Sequence, residues 1–218
     1  DAIKDLETKK VAGYVLDLRS NPGGLLESSI DISRHFINKG VIVSTVSKDG
    51  LKETKKGNGQ ALTKKPLVVL VNEGSASASE IVSGAIKDNK RGKLVGKKTF
   101  GKGLVQSMRT LVDGSGLTVT VAKYLTPNGT DINKSGIIPD IEVKMNINPI
   151  LQREIGTRKD KQYRAGEKEL VNIIKRNNQI SEFNPNTTNL NAFLKINKKY
   201  QVFACLLYTS DAADEADG

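Results

Sequence analysis

The chain has 218 residues and a formal net charge of +10, from 34 Lys plus Arg against 24 Asp plus Glu. Its hydrophobic share of 37% is enough for one sizeable core and argues against intrinsic disorder. The single cysteine and the single histidine, Cys205 and His35, exclude an internal disulfide and a Cys/His zinc site.

A strand, a turn and a helix open the chain. Residues 11–18 are β-branched and apolar and predict a strand, which the turn-forming residues 21–24 end. From Leu25 the apolar residues recur at helical spacing until Gly40, so we expect a helix there. Residues 41–46 predict the next strand, and a polar tip follows it at residues 55–59.

A second strand, turn and helix unit follows. Residues 66–71 are apolar throughout, which is typical of a central strand covered on both faces. They are the longest apolar run, far short of the roughly 20 residues that cross a bilayer. Residues 75–90 then predict a helix, and beyond Gly92 the pattern becomes β, with a hairpin turn at residues 113–116. These later strands are predicted at residues 93–95, 104–111, 116–125 and 136–143.

Alternating β and α elements followed by β elements predict an α/β core with a mixed sheet. We place this core at residues 1–146 and a C-terminal helical extension at residues 147–204, where the composition turns to Lys, Glu, Asn and Gln. Short helices docked on the core are expected there around Leu170, Ile173, Ile174, Phe193, Leu194 and Ile196.

The last residues, 205–218, differ from the basic chain before them. An apolar segment is followed by four acidic residues, and residues 206–215 resemble the translation of a transposon-end adapter used in sequencing libraries. We interpret residues 205–218 as a non-native, adapter-derived tail. An ordinary acidic tail is the alternative.

The basic surplus has two interpretations. Clustered Lys and Arg with interleaved aromatic residues would indicate binding to nucleic acid or to an anionic membrane surface. Here the lysine pairs are spread along the chain, which favours a solvated, lysine-rich surface. The pairs lie at positions 9–10, 55–56, 64–65, 97–98 and 198–199.

Residues 74–80, between the predicted central strand and the next helix, carry small residues and three serines. A hydroxyl at a helix N-terminus lies beside unpaired N–H groups, a setting that stabilises a developing oxyanion. Ser77 and Glu80 also match the S-x-x-E capping box. The segment by itself therefore leaves both a nucleophile and a helix cap open.

A serine nucleophile needs a base. His35 lies opposite the apolar stripe of its predicted helix, which indicates a surface position. A lysine can replace histidine if burial lowers its pKa from the ordinary value of about 10.4. Lys102 lies between two glycines, where close-packed backbone could bury its amine, and Gln106 shares its strand face and could orient it. Exposed positions for both residues are the alternative.

Residues 96–103 nearly match the phosphate-binding loop G-x-x-x-x-G-K-[ST]. Gly103 replaces the hydroxyl that binds Mg²⁺, and residues 104–108 predict a strand instead of the helix that would hold phosphate. A nucleic-acid or nucleotide-binding module therefore stays only as an alternative.

Four blocks together resemble the carboxyl-terminal processing proteases, which are Ser/Lys serine peptidases with a crotonase-like α/β core. The match covers roughly residues 11–145. The blocks are YVLDLRSNPGG at residues 14–24, VNEGSASASE at 71–80, TFGKG within 96–106, and YLTPNG at 124–129 with GIIPD at 136–140.

The resemblance implies a crotonase-like peptidase core of ββα units with a mixed sheet, and neither a metal nor a cofactor. It implies an acyl-enzyme mechanism with a nucleophile, a general base, a residue that orients the base, and an oxyanion hole. The residues in these roles are Ser77, Lys102, Gln106 and the backbone N–H groups of Ala78 and of Gly23 or Gly24.

The resemblance also implies a location and partners. Such proteases carry an N-terminal export signal or anchor and a PDZ domain, and we expect this chain to be an internal fragment that lacks them. The substrates would be proteins or peptides with unstructured C-terminal tails. The protein would be located in the periplasm or at the outer face of the cell membrane. A homo-oligomer is possible, nucleic-acid binding is not expected, and membrane contact would need the missing anchor. A non-hydrolytic crotonase-like binding protein or acyl-thioester enzyme is the alternative within this fold group.

Overall fold

The computed structural model describes residues 2–144, 155–157, 159–182 and 203–206, which form four helices and nine strands. The helices are α1 (Ala2–Thr8), α2 (Leu26–Phe36), α3 (Ala78–Asp88) and α4 (Lys161–Glu182). The strands are β1 (Tyr14–Asp17), β2 (Val41–Ser47), β3 (Lys52–Lys56), β4 (Leu67–Val71), β5 (Lys93–Gly96), β6 (Leu104–Thr110), β7 (Gly116–Leu125), β8 (Ile141–Glu142) and β9 (Phe203–Leu206).

A parallel sheet with the order β8-β5-β4-β1-β9 forms the centre of the fold. Every residue of β4 is buried, as the apolar run predicts. The side chains of β4 point alternately to the two faces of the sheet. Leu67, Val69 and Val71 belong to the core cluster that includes residues of α2 and α3. Val68 and Leu70 face the other way and pack with α4.

Helices α2 and α3 cover one face of the parallel sheet. The buried face of α3 includes Ile81, Val82 and Ile86, as its helical spacing predicts. In α2 the buried residues include Ile30 and Phe36. The predicted start at Leu25 is wrong by one residue, because Leu25 precedes the helix and is 75% exposed.

An antiparallel sheet with the order β3-β2-β7-β6 lies beside the parallel one. Strands β6 and β7 form the predicted hairpin. Strand β3 occupies residues 52–56, where the sequence predicts a polar tip from residue 55, because a lysine-rich segment can serve as a solvated edge strand. The strand predicted at residues 136–143 is limited to β8.

Helix α4 lies on the opposite face of the parallel sheet, where Leu170 and Ile174 are buried. Strand β9 pairs with β1 and crosses the predicted boundary between residues 204 and 205. The helix predicted around Phe193 and the tail from residue 207 onward lie outside the described residues. No helix in the described part of the chain is long and apolar enough to cross a membrane.

Candidate active site

Ser77 lies at the turn between β4 and α3. Its backbone has φ 53° and ψ −116°, a region that residues with side chains rarely adopt and that costs about 1–3 kcal/mol. Hydrogen bonds to its backbone hold it there: the Ser77 carbonyl accepts from the N–H groups of Glu80 at 2.8 Å and Ile81 at 3.1 Å. The strained turn sets the direction of a half-buried hydroxyl at the carboxyl edge of the sheet.

The turn after β1 packs directly onto this serine loop. The Asn21 carbonyl accepts from the Ala76 N–H at 3.0 Å and from the Ser79 hydroxyl at 3.1 Å. Gly23 has φ +103°, and a Cβ there would lie 2.7 Å from both the Ala76 oxygen and the Ala78 nitrogen. Only glycine therefore permits this approach of the two loops.

Free backbone N–H groups are present beside Ser77. In the described part of the chain, the N–H groups of Ala78 and Gly24 make no hydrogen bond, whereas the Gly23 N–H donates to the Asn21 side chain at 2.9 Å. The Ala78 N–H belongs to the first turn of α3, at the positive end of the helix dipole. The space at Gly24 is open, with no atom within 4 Å of a Cβ position. Ala78 and Gly24 are thus available to bind a negative oxygen.

Glu80 connects the serine loop to the lysine loop. Its side chain is fully buried, and one carboxylate oxygen accepts from the Thr99 hydroxyl at 2.5 Å and the Gly101 N–H at 2.7 Å. The other oxygen accepts from the N–H groups of Ser77 at 2.9 Å and Lys102 at 2.8 Å. The sequence identifies Glu80 only as a helix cap, because its contacts with residues 99–102 depend on the tertiary fold.

Tyr124, in β7, makes a second connection between the same two residues. Its side chain is buried, and its hydroxyl donates to the Lys102 carbonyl and lies 3.1 Å from the Ser77 carbonyl. Burial, and then the charge of Glu80, raise the pKa of Tyr124 above its ordinary value, so the hydroxyl keeps its proton. In the sequence Tyr124 is the first residue of the YLTPNG block, but that block by itself does not show that the hydroxyl reaches the two loops.

The glycines beside Lys102 are buried, but Lys102 itself is exposed. A Cβ at Gly101 would lie 2.9 Å from the Gly136 nitrogen, and one at Gly103 would lie 2.7 Å from the Asn133 nitrogen. The close-packed backbone predicted here is present. The predicted burial of the lysine amine is wrong, because the glycines pack inward and the lysine side chain reaches solvent.

Gln106 lies in β6 and is exposed. No hydrogen bond joins its side chain to that of Lys102 within the described residues. The β6–β7 pairing shifts register here, since Val105 pairs with Ala122 and Gln106 pairs with Thr120, and the extra residue is therefore Val121 of β7. The structure thus brings together Ser77, the Lys102 backbone, Gly23 and Ala78, and leaves Gln106 outside this group.

Comparison with known proteins identifies the family. Residues 1–143 match the model of Peptidase family S41. The chain belongs to peptidase family S41. A carboxyl-terminal-processing protease of Synechocystis sp. is 53% identical to this S41 chain over 164 residues, which are 75% of the chain and 38% of that protein. The chloroplastic carboxyl-terminal-processing peptidase 3 of Arabidopsis thaliana is 46% identical over 157 residues, which are 71% of the chain and 30% of that protein.

The fold agrees with this assignment. The solved structure of a photosystem II D1 C-terminal processing protease has a TM-score of 0.62 and 45% identity, and the match covers 66% of this S41 chain and 38% of that chain. The predicted α/β class, with parallel and antiparallel strands, is confirmed, as is the resemblance to carboxyl-terminal processing proteases. The S41 chain spans between 30% and 38% of the length of these relatives.

Proposed function

We propose that the protein is a serine endopeptidase that cleaves proteins near their C-termini, with Ser77 as the nucleophile and Lys102 as the general base. One observation carries the proposal: Glu80 bonds to the N–H groups of both residues, and Tyr124 lies against both carbonyls. Two sequence-distant loops are therefore held side by side at the edge of a sheet. Membership of a peptidase family supports the assignment.

The reaction would proceed through an acyl-enzyme. The neutral Lys102 amine takes the proton of the Ser77 hydroxyl while the serine oxygen bonds to the substrate carbonyl carbon. When the tetrahedral intermediate collapses, the C–N bond breaks and the lysine ammonium returns the proton to the leaving amine. Water, deprotonated by the same amine, then attacks the ester carbon. The C–O bond to Ser77 breaks, the lysine ammonium returns the proton to the serine oxygen, and the new C-terminal carboxyl group is released.

The oxyanion of each intermediate would be stabilised by the N–H groups of Ala78 and Gly24. We favour Gly24 over Gly23 because the Gly23 N–H is already bonded to Asn21. Gly23 instead permits the close contact of the two loops. Donors of this kind contribute about 10²–10³-fold each to kcat where they have been removed.

Lys102 can act as a base only while its amine is neutral, and a dry environment favours that form. Since the side chain is exposed, we propose that bound substrate covers it and excludes water. Gln106 would orient the amine in that covered state, after a side-chain movement towards it. A Gln106→Ala substitution is then expected to lower kcat.

The wider assignments extend the same proposal. The core would be crotonase-like over residues 1–146, with a helical extension at residues 147–204 that includes α4. Residues 205–218 would be an adapter-derived tail. This origin is compatible with β9, because an open strand edge pairs with any extended apolar segment.

Substrates would be proteins or peptides with unstructured C-terminal tails, which can thread into an edge site in extended form. The relatives are carboxyl-terminal processing enzymes, and one of them is chloroplastic. We propose an extracytoplasmic location for this protein and no nucleic-acid ligand.

The decisive experiment uses the complete protein that carries this sequence. Ser77→Ala and Lys102→Arg are tested on an unstructured protein with an apolar C-terminal tail. Alanine removes the nucleophile, and arginine has a similar reach but cannot lose its proton and so cannot act as a base. Both variants should therefore lose at least about 10³-fold in kcat/KM. Circular dichroism should show an unchanged fold.

The matched control is Lys98→Ala, an exposed lysine four residues before Lys102, which should cleave at the wild-type rate. Near-normal cleavage by Lys102→Arg would show that Lys102 is not the general base. A serine-reactive phosphonate should label Ser77 of the wild type. An unlabelled and inactive wild type would instead support a non-hydrolytic protein of the same fold group.

A further inference from the structure

We infer that Tyr124 is a positioning residue for Lys102, acting through its hydroxyl; the inference rests on the proposed function. The Ser77 carbonyl already accepts from the helix N–H groups of Glu80 and Ile81. The Lys102 carbonyl has no other hydrogen-bond partner among the described residues. The tyrosine hydroxyl therefore donates its proton to the Lys102 carbonyl, and it joins the lysine loop to the start of α3.

The geometry at Lys102 shows what this contact does. The Lys102 N–H, which belongs to the peptide group before its Cα, is held by Glu80 at 2.8 Å. The Lys102 carbonyl, which belongs to the peptide group after its Cα, is held by Tyr124. Because peptide groups are planar, fixing both of them sets the backbone torsions at Lys102 and hence the direction of its Cα–Cβ bond. Tyr124 supplies half of that restraint.

The hydroxyl is separable from the structural role of the ring. Tyr124 is 3% exposed and its ring packs in the main core cluster, while its N–H donates to the Gly103 carbonyl at 3.1 Å. Phenylalanine would keep the ring packing and the backbone bond and would lose only the contact with the two carbonyls. The role of the hydroxyl can thus be tested by removing one oxygen atom.

Tyr124→Phe should lower kcat by about tenfold to a hundredfold, because displacements of about 1 Å in a catalytic group cost up to 10²-fold. KM should stay within twofold, since Tyr124 is buried behind the site and does not touch substrate. The rate of phosphonate labelling in the complete protein should fall by the same factor, but Ser77 should still become labelled in every molecule. A merely structural role predicts the reverse, because misfolded molecules would not react: a smaller fraction of the molecules would be labelled at Ser77, and these at the normal rate.

Two further variants make the test specific. Tyr14→Phe is the matched control, because Tyr14 is also 3% exposed and its hydroxyl bonds to Glu7 at 2.5 Å, outside the site. It should label at the wild-type rate. In a Lys102→Ala background, Tyr124→Phe should have no further effect on residual activity, since its effect passes through the lysine.

The outcomes separate this inference from the proposed function. If the wild type neither cleaves nor labels, the proposed function fails. If the wild type labels at Ser77 and Tyr124→Phe labels just as fast, or if the two substitutions combine additively, the positioning role of Tyr124 is overturned while the peptidase assignment stands.

Discussion

A single methyl group at Gly23 is expected to separate the two loops that form the site. Its Cβ would lie 2.7 Å from the Ala76 oxygen and the Ala78 nitrogen, and alanine is strained at φ +103°. Gly23→Ala should therefore move the Ala78 N–H and lower kcat/KM by at least about 10²-fold. Peptidase kinetics measure this directly.

Gly24→Ala is the control for that substitution. No atom lies within 4 Å of its Cβ position, and alanine keeps the N–H group. The kcat of Gly24→Ala should fall less than the kcat of Gly23→Ala. If the substrate occupies the open space at Gly24, the added methyl group should raise KM instead. Equal activity of Gly23→Ala and the wild type would contradict the described packing of the two loops.

Glu80→Gln tests the buried carboxylate at the residue scale. The carboxylate oxygens of Glu80 accept four hydrogen bonds, two on each oxygen. In glutamine an NH₂ group replaces one oxygen, and it would face two donors without being able to accept from them. We expect a loss of about 2–4 kcal/mol in the free energy of unfolding, measured by urea titration, and a strong loss of activity. Glu73→Gln, which affects an exposed ion pair with Lys97, should change stability by less than about 1 kcal/mol.

At the scale of elements, a buried charge cluster joins β1 to α4. Arg19, just after β1, forms ion pairs with Asp17 at 2.5 Å and with Asp160 at 2.8 Å. The three side chains are at most 6% exposed. The Asp160 carboxylate also accepts from the N–H groups of Gln162 and Tyr163 at the start of α4, each at 3.0 Å. The cluster thus fixes α4 on the sheet.

Arg19→Met should destabilise the protein by about 3–5 kcal/mol, because it leaves two carboxylates buried without their shared cation. Thermal or urea unfolding measures the change. Lys9→Met is the control, since it removes an exposed ion pair with Asp5 and should cost less than about 1 kcal/mol. A small effect of Arg19→Met would mean that α4 is held mainly by its apolar contacts.

The same cluster predicts an acid dependence of stability. Burial acts to raise the pKa of Asp160, but hydrogen bonds from Arg19 and from backbone N–H groups, with the charge of Arg19, outweigh it and hold the pKa below the ordinary value. The native state therefore binds the proton less readily than the unfolded chain. This contribution is fully present above the unfolded pKa, about 3.9, and is lost as the pH falls through the lower native value.

Asp160→Asn should flatten this part of the stability profile. Urea midpoints measured between about pH 2 and pH 6 should fall less steeply for the variant than for the wild type, although the variant is less stable at neutral pH. Identical slopes would show that other carboxylates dominate the acid transition.

At the scale of the whole molecule, the positive charges of the described residues are not gathered into one binding surface. Five basic residues do line one cavity of about 560 Å³, at the end of β4 and β5 opposite the site. Three of them are already engaged: Arg91 donates to backbone carbonyls, Lys87 to the Ile138 carbonyl, and Lys93 pairs with Asp140. The other lysines of the described residues are spread along the chain and not gathered at this cavity.

We therefore expect only weak, sequence-independent binding to DNA. Binding measured by anisotropy at about 50 mM salt should disappear by about 200 mM, because it depends on counterion release. Peptidase activity should be the same with and without DNA. Saturable binding that survives physiological salt would favour the nucleic-acid alternative.

Local patterns made much of the fold predictable. The apolar run of β4 indicates a buried central strand, and the helical spacing of Ile81, Val82 and Ile86 indicates the buried face of α3. The Lys-rich strand β3 was missed, because its pairing with β2 comes from neighbouring strands and not from its own composition.

The sequence by itself determined the family, the α/β class and the two loops that meet at the site, because motifs, hydrophobic periods and turn residues are local. Only the tertiary structure decided that Glu80 also contacts Lys102 and that Tyr124 contacts both Ser77 and Lys102, since these contacts join residues 22 to 47 positions apart. It also decided that Lys102 is exposed, because close packing of the glycines on either side directs its side chain outward.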